Sequence, residues 1–288
     1  MKKYKYLYFG TCSWKYESWR GIIYPLEGNF NFLEEYSKHY NTVEIDQWFW
    51  SLFGDKIKLP SRKDVLEYSQ SVPENFKFTI KIPNSISLTH HYKKDKNAEL
   101  ILNKFFLSPE LFQEFVNSIT ELLPKVGMLM FQFEYLNKQK MKSQIEFLSL
   151  LKKFFKSIDF VSPLAIEIRN PNYLNELYFE SLKEMKIYNV FLQGYYMPPV
   201  WDIYDKFGHF IEGKLVIRLH GPNREDIEKK SGGNWNKIIF PKDDELRQIA
   251  EILKDLETRK IDTYINVNNH YEGSAPLTIE RIKSILNA

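Results

Sequence analysis

The sequence has one cysteine, Cys12, so no disulfide can form within the chain and a disulfide-stapled scaffold is excluded. No apolar run is long enough to span a bilayer; the longest are strand-sized. Charge of one sign is not in excess. Lys and Arg number 40 against 37 Asp and Glu, a net +3 that neither demands nor excludes a polyanionic partner. Glycines are too few after the first strand for a dinucleotide fingerprint: Gly10-Thr11-Cys12-Ser13 lacks the later ones, so no nucleotide-cofactor motif is present. The opening MKKYKYLYFG is basic but has no apolar stretch of signal-peptide length, and a cytoplasmic protein is the expectation. Repeats, low-complexity tracts and Pro/Ser/Gly linkers are also missing, which favours a single domain over residues 1–288.

What is present is a large supply of apolar surface. With 43% hydrophobic residues, including 22 Phe and 18 Tyr, the chain can bury a dense core. Short β-rich runs alternate with amphipathic segments. Strands are expected at residues 6–12, 42–46, 76–81, 127–132, 164–169, 188–193, 214–220 and 262–268. Helices are expected at 30–40, with Asn29 as cap, and at 64–70, 108–123, 141–155, 173–185, 243–257 and 276–286. Ser108-Pro109-Glu110 places a capping serine before a proline at the first helical position. Eight strands alternating with helices in one chain predict an α/β fold, a single (β/α)8 TIM-type barrel. An open doubly wound sheet is the alternative. Long loops are expected after strands six and seven, over residues 194–213 and 221–241.

Period-two alternation puts polar side chains on one face at the C-terminal end of every strand but the first. Glu44 pairs with Asp46, Thr79 with Lys81, Glu167 with Arg169, Arg218 with His220, and Asn266 with Asn268. Gln132 and Gln193 end the fourth and sixth strands. Barrel enzymes place their sites at that end. Buried charge is costly unless paired, so the set predicts either a shared pocket or ion pairs closing the barrel, such as Glu167 with Arg169 and Glu44 with Arg218.

The same stretches carry a family likeness. They are Gly10-Thr11-Cys12-Ser13-Trp14 with Tyr16, Trp19 and Gly21; Tyr24-Pro25; Val43-Glu44-Ile45-Asp46 with Phe49; Phe76-Lys77-Phe78 with Lys81 and Thr89-His90; Gly127 with Phe131-Gln132-Phe133; Glu167-Ile168-Arg169; Arg218-Leu219-His220-Gly221; and Asn268-Asn269 with Gly273 and Ala275. In this order and over nearly the whole chain, the sequence resembles the YecE-like family (domain of unknown function 72). The resemblance implies a barrel of this type and no assigned reaction. The chain departs from the family pattern where Ser13 is followed directly by Trp14, at Gln47-Trp48-Phe49-Trp50, and at Asn170-Pro171-Asn172-Tyr173.

Three function classes follow from these residues. The first is an acid–base or hydrolytic enzyme on a small anionic substrate, such as a phosphorylated sugar or a nucleic-acid fragment. In it Glu44, Glu167 and His220 are the candidate proton carriers, His220 titrating near neutrality. Lys81, Arg169 and Arg218 hold the anion, while Asp46, Gln132, Gln193, Asn266, Asn268 and Trp14 line the site. Cys12 would serve as a nucleophile only beside a base such as His220. A cofactor remains unknown; a divalent metal, if present, would take Glu44, Glu167 and His220, with His90 and His91 as further donors. The second class is a nucleic-acid binder that stacks bases on Trp14, Trp19, Trp48, Trp50, Trp201 and Trp235 beside Lys15, Arg20 and Arg224; the alternative role of these rings is to anchor loops over the barrel. The third is a small-molecule sensor on an enzyme-like barrel. No membrane partner is expected, and the oligomeric state is open.

Overall fold

The computed structural model describes residues 4–288 apart from 94, 96, 97 and 161. The described residues hold ten strands: β1 (Leu7–Thr11), β2 (Thr42–Ile45), β3 (Leu52–Phe53), β4 (Lys56–Ile57), β5 (Lys77–Lys81), β6 (Val126–Gln132), β7 (Leu164–Glu167), β8 (Tyr188–Gly194), β9 (Lys214–Gly221) and β10 (Asp262–Val267). Eight of them form one parallel sheet in the order β1-β10-β9-β8-β7-β6-β5-β2. An isolated parallel bridge between Cys12 and Glu44 brings its two ends together. The fold is therefore a (β/α)8 barrel, as the alternating pattern predicts. The remaining pair, β3 and β4, is a small antiparallel hairpin turned by Gly54 at φ 60. It was not foreseen, because two-residue strands carry no measurable periodicity.

The β1–β2 seam is held mainly by side chains. Tyr36 hydroxyl accepts from the Thr11 amide at 2.8 Å and donates to the Thr42 carbonyl at 3.0 Å. Asn41 Oδ1 takes the Phe9 amide at 3.0 Å. Backbone groups that a continuous ladder would satisfy are thus satisfied from the second strand's own approach and the helix before it. The strands come so close there that a Cβ at Gly10 would lie 2.1 Å from the Thr42 carbonyl oxygen, which only glycine avoids.

Helices α1 (Phe32–Ser37), α2 (Arg62–Gln70), α3 (Asn84–Ser87), α4 (Pro109–Ser118), α5 (Gln144–Ser157), α6 (Glu176–Met185), α7 (Val200–Phe207), α8 (Arg224–Ser231), α9 (Asp243–Thr258) and α10 (Ala275–Asn287) fill the connections. Asn31, not Asn29, caps α1, accepting from the Leu33 and Glu34 amides. Ser108 caps α4 with Pro109 in its first turn, as read from the sequence. The connections after β8 and β9 are not plain loops: α7 occupies one and α8 the other.

Two apolar layers result. Met128, Met130, Ala165, Val190, Val216 and Tyr264, with Tyr8 and Tyr188, fill the lower barrel interior. A larger layer between strands and helices holds most of the aromatics, including Phe112, Phe131 and Phe154 in mutual contact. Inward positions thus run from apolar at the N-terminal ends of the strands to charged at the C-terminal ends. Among the described residues no helix is long and apolar enough to cross a membrane.

Candidate functional site

The strand-end residues meet as the alternation predicts, but as a closed ionic network. Arg218 is 2% exposed and lies at the centre. Its Nε and Nη2 each donate to a Glu44 oxygen at 2.7 Å, and its Nη1 donates to Glu167 at 2.5 Å and to Gln132 at 3.3 Å. Glu44 also accepts from Asn266 Nδ2 at 3.1 Å, and the same amide reaches Thr79 Oγ1 at 2.8 Å. Arg169 adds a second cation to Glu167, with Nε at 2.7 Å and Nη2 at 2.6 Å. Bidentate, charge-assisted bonds of this kind offset the cost of burying the charges.

This arrangement corrects the proton-carrier roles expected of the two glutamates. Burial pushes the Glu167 carboxyl up, but Arg169 and Arg218 outweigh it and hold it at about 2. A carboxylate so firmly ionised does not exchange protons near neutrality. Both oxygens of Glu44 are likewise bonded to cationic or amide donors. Both oxygens of Glu44 and of Glu167 are taken by guanidinium groups, which leaves the expected metal set of Glu44, Glu167 and His220 no open carboxylate oxygen in this arrangement. Among the described residues, no group of three or more His, Cys, Asp or Glu side chains is arranged to hold a metal ion. His220 is also not the near-neutral switch expected: burial and the cations Arg218, Arg169 and Lys81 push its pKa well below 6.5, leaving a neutral imidazole. Its Nε2 lies 3.5 Å from Cys12 Sγ, and its Nδ1 lies 3.3 Å from the Tyr195 hydroxyl. The Cys12 thiol is no activated nucleophile, since burial and Glu44 push its pKa well up.

Lys81 differs from the rest of the ring. It is 9% exposed, yet among the described residues its ammonium makes no ion pair or hydrogen bond. Its Nζ lies over an aromatic face, 3.9 Å from the Phe49 ring centroid. Burial and the neighbouring Arg218 lower its pKa, partly countered by Glu44, Asp46 and Glu167. The half-buried Asp46 carboxyl is shifted up by burial and by Glu44. Lys81 and Asp46 thus influence each other without an ion-pair contact. Around them, Asp46, Gln132, Arg169 and Tyr195 are half-buried, so solvent reaches the ring at these positions.

Three expected site residues lie elsewhere. Gln193 points outward from β8: its amide donates to Glu245 on α9 at 2.9 Å and accepts from the Val200 amide at the start of α7 at 3.0 Å. Asn268 closes its own turn by accepting from the His270 amide at 2.9 Å. Trp14 is 5% exposed and packs edge-on against Tyr68 of α2 at 5.0 Å. Of the other tryptophans, Trp19, Trp48 and Trp235 are buried and Trp201 is half-buried, so they anchor loops; only Trp50 is widely exposed, at 59%. His90 bonds Thr89 Oγ1 at 3.0 Å and stays outside the ring.

Sequence reasoning missed Tyr195. It follows Gly194, and Gly194, Tyr195 and Tyr196 all have positive φ, at 124, 52 and 63. Two successive non-glycine residues in that region are strained. The turn carries the Tyr195 ring under the Arg169 guanidinium at 4.5 Å and against His220. The aromatic richness of residues 194–213 was the only available signal.

The family model described as protein of unknown function DUF72 matches residues 8–288. The chain belongs to the DUF72 family. Two solved DUF72 structures share the fold. One, from Thermotoga maritima, is 20% identical with a TM-score of 0.68, over 99% of this chain and 100% of that one. The other, from Enterococcus faecalis, is 20% identical with a TM-score of 0.66, over 98% and 96%. No curated protein matches significantly.

Proposed function

We propose that this DUF72 protein is an enzyme whose site is the barrel mouth and whose substrate is a small anion held by Lys81 and Arg169. The observation that carries this reading is the Lys81 ammonium, set on a largely buried side chain and without an anionic or hydrogen-bonding partner among the described residues. A cation at the edge of a low-dielectric pocket attracts an entering anion more strongly than one in open solvent. Arg218 does not take part directly, because Glu44, Glu167 and Gln132 occupy it. Among the described residues Nη1 of Arg169 has no hydrogen-bond or ion-pair partner, while Glu167 fixes its Nε and Nη2. The glutamates therefore serve as a rigid anionic frame that aims the cations, a positioning role that replaces the proton-carrying one. Asp46, half-buried and with its carboxyl shifted up by burial and by Glu44, is the better proton carrier.

The experiment is a thermal-shift titration of wild type and Lys81→Met with inorganic phosphate, sugar phosphates and short-chain carboxylates. A ligand at about 100 times its Kd adds roughly 2.7 kcal/mol of stability. Stabilisation of wild type that is lost in Lys81→Met supports the reading. Equal responses of the two proteins, or none, sink it.

A further inference from the structure

The anion-binding reading leaves open why a lysine was placed here when the other two cations of the ring are arginines. Arginine presents a fixed fork of donors and stays charged, which is what Glu44 and Glu167 receive from Arg218 and Arg169. Lysine offers something arginine does not, a primary amine that becomes a nucleophile when it loses its proton. The geometry around Lys81 suits that use. No carboxylate lies within ion-pair distance of Nζ among the described residues, one side of the ammonium faces the Phe49 ring, and the two arginines of the ring are bound to Glu167 rather than to an anion beside Lys81. Burial and the adjacent Arg218 both favour the neutral amine. Asp46 is near enough to be felt electrostatically and carries a carboxyl shifted up toward proton exchange.

We infer that Lys81 is a Schiff-base lysine: it condenses with the carbonyl carbon of a small aldehyde or ketone that also bears a carboxylate or phosphate, which Arg169 binds. This rests on the anion-binding reading and names its substrate class. The ammonium of Lys81 first gives a proton, through one intervening water, to the Asp46 carboxylate. The free amine adds its electron pair to the carbonyl carbon, forming the C–N bond while the C=O π pair moves to oxygen. The second nitrogen proton passes to that oxygen, giving a neutral carbinolamine. Asp46 then returns its proton to the hydroxyl, the C–O bond breaks, and water leaves. The balance is one ammonium plus one carbonyl giving one iminium plus one water, with Asp46 regenerated. The iminium is an electron sink for bond-breaking at the adjacent carbon. Its positive charge takes the place of the ammonium above the Glu44–Arg218–Glu167 network, so the charge of the site is unchanged.

The chain contains its own control. Lys125 is as buried as Lys81, at 5% exposure, but its Nζ donates to the Ser69 and Val72 carbonyls at 2.7 and 2.8 Å and pairs with Glu74 at 3.2 Å. Its nitrogen is thus engaged by three partners, where that of Lys81 has no hydrogen-bond or ion-pair partner among the described residues.

The test is reductive trapping. The intact protein is incubated with pyruvate, dihydroxyacetone phosphate or glyceraldehyde 3-phosphate and cyanoborohydride, and the modified lysine is located by peptide mass mapping. The expected result is one adduct per chain on Lys81, formed about tenfold or more faster than on any surface lysine, because the site holds the carbonyl beside a single amine. Asp46→Asn should slow the labelling by about tenfold or more while the native circular dichroism is kept. Lys125 should stay unlabelled. Adducts scattered over surface lysines with Lys81 no faster than the rest would overturn the inference, and this outcome is read on wild type, so it does not depend on any variant folding. Inorganic phosphate binding in the thermal-shift titration separates the two readings. If phosphate stabilises wild type and no carbonyl compound is trapped on Lys81, the anion site stands and the Schiff base falls; if neither occurs, both fall.

Discussion

Arg218 and Glu44 lie 174 residues apart in the chain and meet in a two-point clamp, each bond 2.7 Å long, with both side chains out of solvent. The clamp joins β9 to β2 across the barrel. Through its remaining nitrogen Arg218 also holds Glu167 on β7 and Gln132 on β6. One guanidinium thus ties four strands at the level where the apolar interior ends.

Removing that guanidinium should damage the fold before it damages any reaction. Arg218→Met strands the buried Glu44 carboxylate and leaves Glu167 to Arg169 alone, and breaking such a buried pair costs about 3–5 kcal/mol. Urea unfolding should show the loss. Arg169→Met, which leaves Glu167 its bond to Arg218, should cost clearly less; equal losses would contradict the central place given to Arg218.

Acid should weaken the protein through Glu167. Its carboxyl is held at about 2 in the fold against an ordinary value of 4.5. A depressed carboxylate stabilises the fold fully above about pH 4.5, and that contribution is lost as pH falls toward about 2. Over this window the stability of wild type should drop more steeply than that of Glu167→Gln, which has no proton to take up. Parallel pH profiles of the two proteins would argue against the ion pairing.

The seam of the barrel hangs on one hydroxyl. Tyr36→Phe leaves the buried Thr11 amide and Thr42 carbonyl without this partner. A loss of about 1–3 kcal/mol in denaturant unfolding is expected. A neutral result would mean that water or a strand shift closes the gap.

Cys12 should be silent in the folded protein. Its thiol is buried and its pKa is pushed up by burial and Glu44. A thiol-reactive aromatic disulfide at neutral pH should react only as fast as the chain unfolds, and denaturant should accelerate it. Prompt reaction in native buffer would restore the nucleophile reading.

Gln193 separates structure from site. Gln193→Leu breaks its bonds to Glu245 and Val200 and should cost about 1–2 kcal/mol. The response to phosphate in a thermal-shift titration should be unchanged, because the side chain points away from Lys81.

The barrel and the membership of its polar ring were legible in the sequence. Strand alternation is a local, period-two property, so VEID, FTIK, IEIR and IRLH announce which residues face inward wherever the strands end up. That rule placed Glu44, Lys81, Gln132, Glu167, Arg169, Arg218 and Asn266 together without any knowledge of the fold. It failed at Gln193 and Asn268, where a strand ends and neighbouring groups, Glu245 and the His270 amide, capture the side chain. Local alternation also says nothing about partners. Which carboxylate each arginine would take, and which cation would be left alone, depends on distances around a closed ring whose members are up to 222 residues apart. Only the tertiary structure decided that Glu44 and Glu167 are bound to guanidinium groups, that His220 stays neutral, and that Lys81 is the cation without a carboxylate. Pairing in a low-dielectric interior is set by a few tenths of an ångström and by burial, and neither is written in the order of the residues.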